Sequence, residues 1–265
     1  MCATCGCSGQ PRLRLVTSAD TGLEHDPDHD HPHDHDHAGS HSHEEDRTVQ
    51  LQQKILAKND ALAQETREWL AERQVAAINL MSSPGAGKTT LLVRTIRDLA
   101  EELVIPVIEG DQATSLDATR ISEASGRMVV QVNTGVGCHL DASMVHRSLG
   151  TLNPPPGSVV VIENVGNLVC PALFDLGEGA RVVLSSVTEG ADKPAKYPYM
   201  FSRADLVLVT KTDLLPYVDF DLARHAADIK QLSPGARILQ LSATTGEGLP
   251  AWYDWLRQAA PPQKV

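Results

Sequence analysis

Seven short runs of apolar, largely β-branched residues punctuate the chain: Ala76 to Met81, Val104 to Ile108, Met128 to Val132, Val159 to Ile162, Arg181 to Ser185, Leu206 to Val209 and Ile238 to Leu241. Each has the length of a strand and several are separated by helix-length segments, so the order strand, helix, strand recurs. That order predicts an α/β fold with a mostly parallel, doubly wound sheet and ligands at the carboxyl ends of its strands. Ahead of the first run, Leu51, Ile55, Leu62 and Trp69 fall at helical spacing between charged residues, which predicts an amphipathic helix over Thr48 to Arg73. No internal repeat is visible.

Residues 8–46 contrast with this pattern. After Val16 they hold almost no large apolar side chains and consist largely of His, Asp, Gly and Ser, too little apolar surface to offset the entropy of ordering. The reading divides the chain into a cysteine motif at 1–7, a disordered His/Asp-rich tail at 8–46, and one globular domain with its leading helix at 47–265.

Charge sharpens the division. Of the net -11, residues 1–46 contribute -8, ten Asp or Glu against two Arg, leaving -3 for the domain. Such a domain offers no basic face to a nucleic-acid backbone or an anionic membrane, and both partners are discounted. With neither a run of about 18 apolar residues nor a secretory signal, a cytoplasmic protein is expected.

Ser82-Ser83-Pro84-Gly85-Ala86-Gly87-Lys88-Thr89 follows a predicted strand and opens a predicted helix, the context of a phosphate-binding P-loop. There the backbone N–H groups of Gly85, Ala86 and Gly87 curl around phosphates, with Thr90 just inside the helix. Lys88 reaches the β and γ phosphates, and the Thr89 hydroxyl ligates Mg2+. Ser82 stands where the pattern has its first Gly.

Val207-Leu208-Val209-Thr210-Lys211-Thr212-Asp213 resembles the guanine-recognition NKxD motif, with Thr210 replacing Asn. A carboxylate at Asp213 accepts from guanine N1–H and the 2-amino group, which adenine lacks, so GTP is the expected nucleotide. Ser242-Ala243-Thr244 looks like the second base-contacting loop; taken alone it is also an ordinary Ser-rich turn. Asp111 and Glu163, both at strand ends, are placed to serve magnesium and water, and Glu163 with Gly166 resembles the DxxG switch motif. Solvated loop acids are the alternative. No arginine is assigned to the phosphates, so intrinsic turnover on the order of 10^-4 to 10^-3 per second is expected.

Five cysteines, odd in number and clustered, argue for metal ligands rather than a disulfide framework. Cys2, Cys5 and Cys7, with an α-amine freed by removal of Met1, can make a square-planar set suited to Ni2+; a Zn2+ site or a redox dithiol are the alternatives. Eight histidines between His25 and His43 suit weak, exchangeable metal buffering, or simply a solubilising tail. Cys138-His139 and Cys170 match no zinc-finger spacing, and on their own the two thiols read more readily as buried small hydrophobes.

In order along the chain, CATCGC, the His-rich linker, SSPGAGKTT, EGDQAT, GVGCHLDA, ENVGNLVCP, TEGADKPAKYP and TKTDLLP resemble the hydrogenase-maturation nickel-insertion GTPases, the HypB family of SIMIBI-class P-loop proteins. The resemblance implies a GTP-promoted homodimer with Cys138, His139 and Cys170 at a second site for nickel or zinc. It further implies transfer of nickel to a partner maturation factor and then to the large subunit of [NiFe]-hydrogenase. His146 is a candidate to extend that site. A nickel-storage protein, a urease-type accessory GTPase and a P-loop kinase are the competing readings, and Asp213 and Glu163 speak against the last.

Overall fold

The computed structural model describes residues 12–16, 41–112, 116–125, 129–135 and 137–261. The strands are β1 (Arg12–Val16), β2 (Ala76–Ser82), β3 (Val107–Asp111), β4 (Val129–Asn133), β5 (Val159–Glu163), β6 (Ala180–Ser186), β7 (Leu206–Thr210) and β8 (Arg237–Gln240). The helices are α1 (His41–Glu72), α2 (Lys88–Asp98), α3 (Leu116–Ser125), α4 (Ala142–Leu152), α5 (Lys193–Lys196), α6 (Pro198–Ser202), α7 (Leu222–Leu232) and α8 (Leu249–Ala259).

The strands form one sheet in the order β1-β4-β3-β5-β2-β6-β7-β8. Every neighbouring pair is parallel except β1 with β4. Because side chains alternate across a strand, successive residues serve opposite layers. Ile78, Val107, Val159 and Val161 join the cluster that includes Leu91, Leu92 and Ile121, whereas Ala77, Ile108, Val160 and Ile162 join the one that includes Leu70, Val145 and Leu149. Burial on both faces explains why these strands read as continuous apolar runs. Trp252 is fully buried in the first layer, its indole N–H donating to Thr95 Oγ1 at 2.9 Å.

Three local differences from the sequence reading have physical causes. The strand expected from Val104 begins at Val107, because Pro106 has no N–H; the carbonyls of Val104 and Pro106 still accept from Val159 and Val161. Residues 8–46 are not irregular throughout: Arg12–Val16 adds an antiparallel edge strand to β4, with Leu13 packed on the second core cluster, and α1 begins at His41. Residues 17–40 lie outside the described residues.

The third difference is the buried face of α1. Leu51 and Ile55 are 59% and 50% exposed, whereas Asn59, Ala63, Thr66 and Leu70 are buried. Asn59 donates to the Asp175 carbonyl at 2.8 Å and accepts from Ala142 N–H at 2.9 Å. A Cβ on Gly177, at φ +83°, would stand 2.6 Å from the Ala63 carbonyl. The helix therefore docks through Leu70 and Trp69, packed on the second core cluster, and through small and hydrogen-bonded side chains at close backbone approach, while the first positions of its apolar repeat stay exposed.

Candidate functional site: a P-loop cavity beside a Cys/His cluster

β2 runs into the P-loop and α2 starts at Lys88, behind Gly87 at φ 101°; Gly85 has φ 75°. Those left-handed conformations strain any residue with a Cβ, so both glycines are dictated by the turn. Ser82 is fully buried, and its hydroxyl accepts from Lys88 Nζ at 2.9 Å while donating to the Ser83 carbonyl at 2.6 Å. The departure from Gly thus gives Lys88 Nζ a buried hydrogen-bond partner. Burial lowers the Lys88 pKa, opposed by Glu163 and other nearby carboxylates.

Loop and helix open onto a cavity of about 390 Å3 whose walls include Lys88, Thr89, Glu109, Asp111, Glu163 and Gly166. Thr89 Oγ1 donates to Glu163 Oε1 at 2.7 Å. Glu109 and Glu163 are register partners on adjacent parallel strands, both buried, and the Oε2 of each has no hydrogen-bond partner among the described residues. Burial, with Glu163 and Asp111 adding, pushes the Glu109 pKa up to about 9. Burial also pushes Glu163 to about 7, against the pull of Lys88 and the Thr89 hydrogen bond. Oxygen donors alone, two of them orphaned carboxylate oxygens beside a P-loop hydroxyl, fit a hard cation such as Mg2+. Gly166 lies tight against the loop, where an added Cβ would come within 2.9 Å of Pro84 Cα.

A smaller cavity of about 170 Å3 adjoins through Gly87 and Thr90 and is lined by Ala86, Lys211, Asp213, Ser242 and Ala243. Here the Thr210 departure finds its cause. Its buried hydroxyl donates to the Ala86 carbonyl at 2.8 Å, and Lys211, at φ 60°, donates from Nζ to the Gly85 carbonyl at 2.7 Å. β7 is thereby fastened to the phosphate loop, with Asp213 left on the cavity wall.

Beside the phosphate cavity, Cys138, His139 and Cys170 bring their ligand atoms within 4.8 Å of one another, and all three are partly exposed. Cys138 and His139 precede α4, whose N-cap Asp141 accepts from Met144 N–H at 2.8 Å. Cys170 opens a short 3-10 turn. The His139 ring stacks on Phe174 at 4.0 Å, and burial lowers its pKa against the opposing pull of Asp141, which favours the neutral imidazole a metal requires. His146 does not join the cluster; its Nδ1 lies 3.1 Å from Thr66 Oγ1 on α1. Cys2, Cys5, Cys7 and the His tract from His25 to His37 lie outside the described residues, and no side chain of His41 or His43 is described.

The two sites share structural members. Buried Asn164, next to Glu163, accepts with Oδ1 from Leu140 N–H at 3.1 Å and Val165 N–H at 3.0 Å, and donates to Asn79 Oδ1 at 3.3 Å. Leu140 packs so closely over Gly110 that a Cβ there would meet it at 2.8 Å. Gln112, on the cavity wall, donates to the Gly137 carbonyl at 3.3 Å. The sequence reading gave no role to Glu109, Asn164, Asp117 or Arg120. Only the polar residues interrupting EGDQ and ENVG, at strand ends, signalled the first two.

A doubly wound parallel sheet with this P-loop and an adjoining pocket lined by Lys211, Asp213 and Ser242 is the architecture of a SIMIBI-class P-loop GTPase domain. The CobW/HypB/UreG nucleotide-binding domain matches residues 76–240. Hydrogenase maturation factor HypB of Rhizobium leguminosarum bv. viciae is 54% identical over 216 residues, covering 82% of this chain and 72% of that protein. The crystal structure of HypB from Archaeoglobus fulgidus superimposes with a TM-score of 0.72 at 40% identity, over 77% of this chain and 98% of that one. HypB from Helicobacter pylori, solved in complex with nickel, gives 0.72 at 36% identity over 78% and 99%. The chain belongs to the HypB family of hydrogenase maturation factors.

Proposed function

We propose that the protein binds and hydrolyses GTP with Mg2+ and uses the nucleotide state to control a Ni2+ ion held by Cys138, His139 and Cys170, delivering it during [NiFe]-hydrogenase maturation. The observation that carries this reading is Asn164, which ties the Glu163–Gly166 segment at the phosphate cavity to Leu140, next to two of the three ligands. A segment ordered by a γ phosphate then shifts the metal loop, as switch segments do.

Thr89, Asp111 and Glu163 are the residues that would hold Mg2+, which supplies charge neutralisation at the β and γ phosphates. Lys88 leaves Ser82 for the phosphates, Gly166 offers its N–H to the γ phosphate, and Asp213 selects guanine. Nickel is cargo. Two thiolates and an imidazole suit it and suit Zn2+ equally, and their partial exposure supports a GTP-promoted homodimer in which a second copy completes the coordination. Transfer to a partner maturation factor and the hydrogenase large subunit, in the cytoplasm, completes the proposal. Cys2, Cys5 and Cys7 would form a separate, tighter nickel site.

Nickel titration of protein lacking the amino-terminal thiols, with GDP or a non-hydrolysable GTP analogue, tests the reading. Nickel affinity should differ between the two states, and Lys88→Ala should abolish GTP hydrolysis. Equal affinity in both states would leave a static metal site. Pulldown of a urease factor rather than a hydrogenase factor would favour the urease-type reading, and loss of all nickel binding on deleting residues 17–40 would favour storage.

A further inference from the structure

Lys88 and Arg120 are the cations among the described residues lining the phosphate cavity, facing four carboxylates, Glu109, Asp111, Asp117 and Glu163. Arg120 rides on α3, which Ala118 and Ile121, both fully buried, lock into the same core cluster as Leu91 and Leu92 of the P-loop helix α2. Fixed in this way, α3 presents Asp117 and Arg120, one turn apart, to the cavity. Nη1 of Arg120 donates to Asp117 Oδ1 at 3.1 Å, in a pair whose side chains are 54% and 43% exposed. Its charge also reaches Glu163, where it opposes the rise in that carboxylate's pKa.

An exposed pair of this kind holds an arginine only weakly. A bound triphosphate offers more negative charge than Asp117, in a geometry that a guanidinium fork matches with two parallel hydrogen bonds. We propose that Arg120 is a catalytic arginine supplied in cis, which exchanges Asp117 for oxygens of the γ-phosphoryl group and stabilises the charge that develops there during GTP hydrolysis. The inference rests on the GTPase reading above. In the step it serves, the water oxygen bonds to the γ phosphorus and the bond from that phosphorus to the β–γ bridging oxygen breaks. The electron pair leaves on GDP, and the water proton ends on the inorganic phosphate. α3 sets the guanidinium's position on a rigid element, which suits a contact made in the transition state.

The test is single-turnover GTP hydrolysis by the full-length wild type, Arg120→Ala and Arg120→Lys, with GTP affinity from a fluorescent GTP analogue. An arginine in cis corresponds to a rate on the order of 10^-2 per second, and GTPases without one to about 10^-4 to 10^-3. Arg120→Ala should therefore slow hydrolysis roughly 10- to 100-fold while affinity changes no more than about threefold, the charge being felt mainly in the transition state. Arg120→Lys, lacking the fork, should recover little of the rate, and added guanidinium ion should restore part of it to Arg120→Ala. A wild-type rate in Arg120→Ala, or a rate loss matched by an equal loss of affinity, would overturn the inference and leave the GTPase reading standing. Rescue on mixing Arg120→Ala with Lys88→Ala would show the arginine acting in trans and would also overturn it. A wild-type protein that binds GTP without hydrolysing it would remove both readings.

Discussion

Asn164→Ala is the sharpest test of coupling between the phosphate cavity and the Cys/His cluster. The substitution removes the acceptor of Leu140 N–H and Val165 N–H, two buried hydrogen bonds, together with the amide that donates to Asn79. A buried donor left without a partner costs about 1–3 kcal/mol, so two predict a loss of roughly 2–6 kcal/mol and a lower melting temperature. The functional effect is separable from the thermal one. Allosteric couplings of about 1–3 kcal/mol correspond to affinity ratios of roughly 5- to 150-fold. In protein lacking Cys2, Cys5 and Cys7, that ratio between GTP-analogue and GDP states should fall towards one on Asn164→Ala. The site's own nickel affinity with GDP should change far less. Asn164→Asp keeps an acceptor for both N–H groups and loses the donor to Asn79, so it should retain much of the ratio. Isothermal titration of nickel below the melting temperature of each variant measures both. If Asn164→Ala preserves the wild-type ratio, the link through Leu140 does not carry the coupling.

Asp213→Asn keeps the shape of the base pocket but removes the carboxylate, so competition binding should show a preference for GTP over ATP reduced by one to several orders of magnitude, following the penalty for unmatched buried polar groups; an unchanged preference would refute the role of Asp213. Protons should be released when Mg2+ and GTP bind between about pH 5 and 9, because a cation favours the ionised forms of Glu163 and Glu109, whose pKa values stand near 7 and 9 without it. Calorimetry in buffers of different ionisation enthalpy reads that release directly, and a buffer-independent binding heat would contradict it. The same raised pKa values make the nucleotide-free fold bind more protons than the unfolded chain. Its stability should therefore fall as pH rises from about 4.5 through 7 towards 9, as thermal melts can follow.

The legibility of this molecule in its sequence depends on how local the governing physics is. Parallel strands buried on both faces announce themselves as apolar runs, so β2 and β4 to β8 were placed within a residue or two, and the phosphate loop was legible because strand, glycines, lysine and helix are contiguous. The apolar spacing of α1 identifies the helix and Trp69 on its docked side, but not the exposure of Leu51 and Ile55, because it assumes that burial follows hydrophobicity. Its docking surface also uses Asn59 and Ala63, whose value lies in partners at Asp175, Ala142 and Gly177, far away in the chain. β1 carries an alternating Arg-Leu-Arg-Leu-Val signal, but it lies beside a polar tract that dominated the composition of the segment. Glu109, marked only as a polar residue at a strand end, and Arg120 carry weak sequence signals for a related reason. A glutamate at a strand end and an arginine on a short helix are ordinary in one dimension, and they acquire chemistry only when the register of β3 with β5 and the seating of α3 on α2 bring both to the phosphate cavity. Cys138, His139 and Cys170 show the intermediate case. By residue type the two thiols read as buried small hydrophobes and only the family resemblance pointed to a metal, whereas the fold brings a thiol from residue 170 to two ligands at 138 and 139 and sets Asn164 between that assembly and Glu163.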